Sequence, residues 1–88
     1  MPTISIFYGI AIRMYLSDHS PPHFHAVYGE FEATFSIETG RLLKGKFPKT
    51  AMKLVQEWTD LNREALFIDW NLAQQNQLPH AIGGLDAE

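Results

Sequence analysis

His23-Phe24-His25-Ala26-Val27-Tyr28-Gly29-Glu30-Phe31-Glu32-Ala33-Thr34-Phe35-Ser36 reads as a β-hairpin in one register only. A two-residue loop at Gly29-Glu30 places Gly at the first central position, as a type II′ turn prefers. Tyr28 then faces Phe31, Ala26 faces Ala33 and Phe24 faces Phe35, all apolar and all on one side. The other side carries His23 opposite Ser36, His25 opposite Thr34 and Val27 opposite Glu32. A slip of one residue would bury Glu32 and expose Phe35, so the pattern itself selects the pairing. Phe24, Ala26 and Tyr28 are therefore expected to face a core, and His23 and His25 to face away from it.

Working outward, Ile10, Ile12, Met14 and Leu16 alternate with Ala11, Arg13, Tyr15 and Ser17, the signature of a half-buried strand. Thr3 to Tyr8 forms a shorter strand before it, ended by Gly9. A weaker strand runs from Arg41 to Phe47 and is interrupted by Gly45. After Pro48, suited to the first turn of a helix, the period lengthens. Ala51, Leu54, Val55, Trp58 and Leu61 recur at spacings of three and four. The stripe shifts phase near Asp60 to Asn62, either of which can cap a new helix. Ala65, Leu66, Ile68, Trp70, Leu72 and Ala73 then form a second apolar side. The expectation is an α+β domain over residues 1–79, with an antiparallel sheet of four or five strands followed by two helices packed on one face. Pro79 and Gly83-Gly84 end regular structure, and a loose tail is expected over 80–88.

The chain has 88 residues, of which 45% are hydrophobic, enough for one core. It has no cysteine, so disulfides and thiolate metal sites are excluded, and any transition-metal site must use His, Asp or Glu. A net charge of −3 argues against a surface built as a whole for nucleic acid. Arg41, Lys44, Lys46, Lys49 and Lys53 do form a local basic cluster, a pattern that is more often a solvated face than a binding site. No apolar run approaches the roughly 20 residues needed to span a bilayer. A signal-peptide pattern is also missing, so a soluble cytoplasmic protein is expected.

Three of the four histidines, His19, His23 and His25, fall within seven positions. If the strand from Ile10 to Leu16 lies beside the hairpin, the open face presents Arg13, Tyr15, His23, His25, Glu32 and Thr34. Two chemistries suit that set. In one, His23, His25 and Glu32 act as base and acid while Arg13 steadies an anionic transition state, a set sufficient for metal-free RNA cleavage. In this arrangement Glu32 would raise the pKa of His25. In the other, His23 and His25 bind a divalent ion such as zinc, with Asp18, His19 or Glu32 completing the ligands. The plain alternative is that these are polar residues of a solvated sheet face, with Asp18 bonding the turn backbone.

Gly9-Ile10-Ala11-Ile12-Arg13-Met14-Tyr15 and Asp18-His19-Ser20-Pro21-Pro22-His23-Phe24-His25-Ala26-Val27-Tyr28-Gly29, with Met1 to Ser5, Ile37-Glu38-Thr39, Leu54 to Trp58, Asn62-Arg63-Glu64 and Trp70, resemble the bacterial domain of unknown function 4160 family. Asn62 stands where the resemblance places His. The family assigns no catalytic residues. It implies a context in which a neighbouring gene encodes a second small protein, of the domain of unknown function 2442 family. The resemblance thus implies one component of a toxin–antitoxin-like pair that acts by protein binding; RNA cleavage is the activity that the His23, His25, Glu32 and Arg13 set would add. A His-based metal-binding domain and a structural interaction module are the alternatives.

Overall fold

The computed structural model describes residues 2–86. Met1 of the family-like N-terminus and Ala87-Glu88 of the expected tail lie outside them. Five strands, β1 (Thr3–Phe7), β2 (Ile10–Arg13), β3 (His23–Tyr28), β4 (Phe31–Ser36) and β5 (Leu42–Gly45), precede one helix, α1 (Lys49–Gln74). The strands form an antiparallel sheet in chain order. Among the described residues no helix is long and apolar enough to cross a membrane.

The β3–β4 hairpin has the register its alternation demands, from His23 opposite Ser36 to Tyr28 opposite Phe31. Gly29 has φ 58°, a conformation that costs glycine little, and this is the turn residue on which the register rests. Phe24, Ala26 and Phe35 are wholly buried, and so are Ile10, Ile12 and Met14 of β2 and the residue after it. Tyr28, at the hairpin's tip, meets the Phe47 ring (6.2 Å between centroids) beside the start of α1 but is more than a third exposed.

The two expected helices are one, and this corrects the sequence reading. Asn62 leaves helical geometry (φ −122°, ψ 19°), but its side-chain amide donates to the Trp58 carbonyl at 2.9 Å. That carbonyl is therefore satisfied across the irregular residue, and the helix continues without a connecting loop. The buried face is continuous through it: Ala51, Val55, Trp58, Leu66, Trp70 and Ala73. Leu61 and Ile68, counted with the apolar stripes from sequence, are instead 72% and 53% exposed.

Residues 80–84, expected at the loose end of the chain, are tied down. The Ile82 N–H donates to the Ile4 carbonyl (2.7 Å), and the Trp58 indole N–H donates to the Gly83 carbonyl (2.8 Å). At the other sheet edge, Gly45 has φ 95°, and a Cβ there would press on the Glu32 carbonyl oxygen and lie 2.9 Å from Ala33 Cα. Both obstacles are backbone of the paired strand. Gly45→Ala is expected to destabilise the fold by about 2–3 kcal/mol, read as a lowered urea midpoint. An unchanged midpoint would show that β5 can shift freely from β4.

Candidate metal centre

The site is assembled by the loop between β2 and β3. Ser17 takes φ 55° and donates its N–H to the Ala73 carbonyl (2.9 Å) near the end of α1. The Gln74 amide donates to the Asp18 carbonyl (2.8 Å), and the Ile37 N–H to the Pro22 carbonyl (3.1 Å). The loop is thus hung from the helix at one end and from the segment after β4 at the other. These anchors carry Asp18 over the start of β3. One Asp18 oxygen accepts the His19 N–H (2.8 Å), which leaves Oδ2 turned toward the histidines.

His23 and His25 converge on that single oxygen. His23 Nε2 lies 2.9 Å from Asp18 Oδ2, and His25 Nε2 lies 3.5 Å from it. The ligand atoms of Asp18, His23 and His25 fall within 4.8 Å of one another. The other nitrogen of His23, Nδ1, faces the Pro21 carbonyl at 2.7 Å. Trp70 of the helix packs beside the same imidazole, with centroids 5.4 Å apart, and His23 is only 4% exposed. His23 does leave the hairpin on the face opposite Phe24, but the loop and Trp70 enclose it rather than leaving it open to solvent. His25 meets the edge of the Tyr15 ring (4.2 Å), and its Nε2 is buried without a hydrogen-bond partner.

Burial holds the His25 pKa below its ordinary 6.5, with the Asp18 carboxylate pulling less strongly the other way. This reverses the elevation expected from Glu32. That carboxylate is 3.8 Å from His25 Nδ1 and 55% exposed, so water weakens its effect. Burial raises the Asp18 carboxyl, but the His19 N–H, the His23 charge and the two imidazole nitrogens facing its Oδ2 outweigh it, leaving its pKa below 3.8. Each shift means that the unfolded chain binds the proton more tightly than the native state does. The contribution of Asp18 is lost as pH falls through its depressed value, and His25 opposes folding below about 6.5.

The other expected site residues are placed less closely. His19 has an 85% exposed side chain and lies 3.7 Å from Asp18 Oδ1, at the rim. Arg13 pairs directly with His25 across β2 and β3, yet among the described residues it makes no ion pair, including none with Glu32. Two residues that sequence reasoning did not bring to the site also reach it. Thr34 pairs with Lys44 and Phe35 with Leu42, so Leu43 is an extra residue on β5. This bulge lets both Leu43 and Lys44 line a cleft of about 400 Å³ with Tyr15, Thr34 and the Asp18–His23–His25 cluster. The interruption of β5 at Gly45 was the available signal, but a bulge's position depends on the partner strand.

A second buried carboxylate, Asp69, lies on α1 and is 1% exposed. Its Oδ1 accepts the His80 N–H (2.9 Å), while Oδ2 has no partner. Burial raises its pKa above 3.8. The native state therefore keeps this proton to higher pH than the unfolded chain. That contribution to stability is present at acid pH and is lost as pH rises through the elevated value. Asp69→Asn retains an acceptor for His80 without the charge. It is expected to raise the urea midpoint at neutral pH, with the gain shrinking toward about pH 4. A gain independent of pH would rule out the buried charge as its cause.

Fold and site together define a small α+β domain in which a loop carboxylate and two imidazoles of the sheet line a cleft. Residues 9–71 match the family described as Domain of unknown function (DUF4160), and the chain belongs to that family, as its sequence motifs indicate. The match includes every member of the cluster. Neither the curated proteins nor the solved structures yield a match.

Proposed function

We propose that this domain binds a divalent first-row metal ion such as zinc through Asp18, His23 and His25. The observation that carries the reading is the buried, unpartnered His25 Nε2, aimed at the same carboxylate oxygen that already receives His23. An ordinary Asp–His pair has no need of a second imidazole there. A cation held by all three would satisfy His25 and also accounts for His23. Nδ1 faces the Pro21 carbonyl and Nε2 faces Asp18 Oδ2; with Nδ1–H kept on the carbonyl, a cation entering between Nε2 and the carboxylate would take the Nε2 lone pair. Two imidazoles and a carboxylate suit zinc, iron or nickel, and three protein ligands leave a position open to the cleft. His19 stands outside this ligand set.

The test is titration of the chelator-treated, untagged protein with Zn²⁺ or Co²⁺. One equivalent should bind and raise the melting temperature by mass action. The imidazole nitrogen resonances of His23 and His25 should shift, and those of His80 should not. Failure to bind, or equal shifts at all histidines, would overturn the assignment.

A second reading, a partner in a two-protein toxin–antitoxin-like module, is favoured by the exposed apolar Leu61 and Ile68, two turns apart on α1. It predicts co-purification with the product of a neighbouring gene, lost on Leu61→Glu/Ile68→Glu. The metal reading does not require that outcome. RNA cleavage by His23, His25, Arg13 and Glu32 would instead predict growth arrest on expression, relieved by His25→Ala.

A further inference from the structure

We propose that the cleft beside the cluster takes a small phosphate monoester with an apolar or aromatic substituent, its phosphate held between the metal and Lys44. This rests on the metal reading above. The sheet supplies the positions. Arg13, His25, Thr34 and Lys44 are successive partners in one cross-strand row over β2, β3, β4 and β5. Directly paired residues share a face, so His25 lies between cations on the open side of the sheet. Strands are about 4.8 Å apart, which sets Lys44 roughly 10 Å from His25 along the backbone, within reach of a group bridging the two.

The class of anion follows from the number and kind of donors that line the cleft. Lys44, Thr34, His19 and the Asp18–His23–His25 cluster all line the cleft. A planar carboxylate offers two oxygens to these groups. A phosphate offers three terminal oxygens around a tetrahedral centre, and lysine binds phosphate as a point charge. The rest of the cleft is apolar. Leu43, placed there by the β5 bulge, is 48% exposed, and Pro21 and Tyr15 line the same cleft. The volume of about 400 Å³ is that of a small-molecule site. The chain's net charge of −3 favours a small ligand over a polynucleotide.

The experiment is calorimetric titration of the Zn²⁺-loaded protein with phenyl phosphate, inorganic phosphate and benzoate, after metal affinity has been measured separately. Phenyl phosphate should bind the loaded protein at least about tenfold more tightly than the metal-free protein, and than benzoate binds. Lys44→Ala should weaken it by roughly tenfold while leaving zinc affinity unchanged. Leu43→Ser should reduce phenyl phosphate to the affinity of inorganic phosphate. Both residues are exposed, so neither change threatens the fold. Benzoate equal to phenyl phosphate, or indifference to Lys44→Ala with zinc still bound, would overturn the ligand class and leave the metal centre standing. Indifference to Leu43→Ser would overturn the apolar substituent. Failure to bind zinc is seen before any phosphate is added; it would overturn the metal centre and this inference with it.

Discussion

Trp58→Ala should cost about 3–5 kcal/mol, enough to remove most of the folded population of so small a domain. Trp58 is fully buried, and its ring meets Phe7 (5.3 Å between centroids) and Phe24 (5.7 Å, edge-on). It thus joins α1 to two strands at once. Its indole N–H also holds the Gly83 carbonyl, which ties the C-terminal segment to the core. Trp58→Phe separates the two roles. It keeps most of the aromatic packing but removes the donor, for a smaller loss of about 1–2 kcal/mol. Hydrogen exchange at the Ile82 amide should then accelerate more than exchange in the β3–β4 hairpin. A urea midpoint unmoved by Trp58→Ala would show that the helix does not depend on this contact.

Asp18→Ala and His25→Ala should each lower metal affinity by more than about 100-fold, since losing even an outer-shell partner costs 10- to 100-fold. Their effects on the metal-free fold should differ. Asp18 accepts the His19 N–H and faces buried His23, so its removal leaves that imidazole beside a void and should destabilise the loop. His25 has an unsatisfied buried nitrogen, and its truncation relieves that cost while losing the Tyr15 contact. The apo protein should therefore tolerate His25→Ala better than Asp18→Ala, although both abolish tight metal binding. Calorimetry with zinc, paired with urea melts of the apo proteins, measures both. If His25→Ala binds zinc like the parent chain, His25 is not a ligand and the three-residue centre is wrong.

The contrast between His23 and His25 shows how far local pattern reaches. Alternation places both on the face opposite Phe24, and the paired strands bear this out. It does not tell that His23 is enclosed while Glu32 is exposed. His23 is covered by Trp70, 47 positions later in the chain, and by a loop hung from Ala73 and Gln74. The direction of the His25 pKa shift was misjudged for the same reason. The nearby carboxylate in the pattern was Glu32, whereas the dominant effect is burial, which depends on everything packed around the ring.

The chain by itself determined the hairpin register, the order of strands before helix and the family. Each rests on a period of two, a period near 3.6, or a contiguous motif, all of which are local properties of sequence. The tertiary structure decided the rest. It made one kinked helix of two stripes, with the Asn62 side chain bonded to the Trp58 carbonyl across the irregularity. It brought Lys44 and Leu43 to the cleft through a bulge whose position depends on the facing strand. It also selected Asp18 rather than His19 as the third member of the cluster. Adjacent residues of a loop point in different directions, and only the anchors on a distant helix decide which of them turns inward.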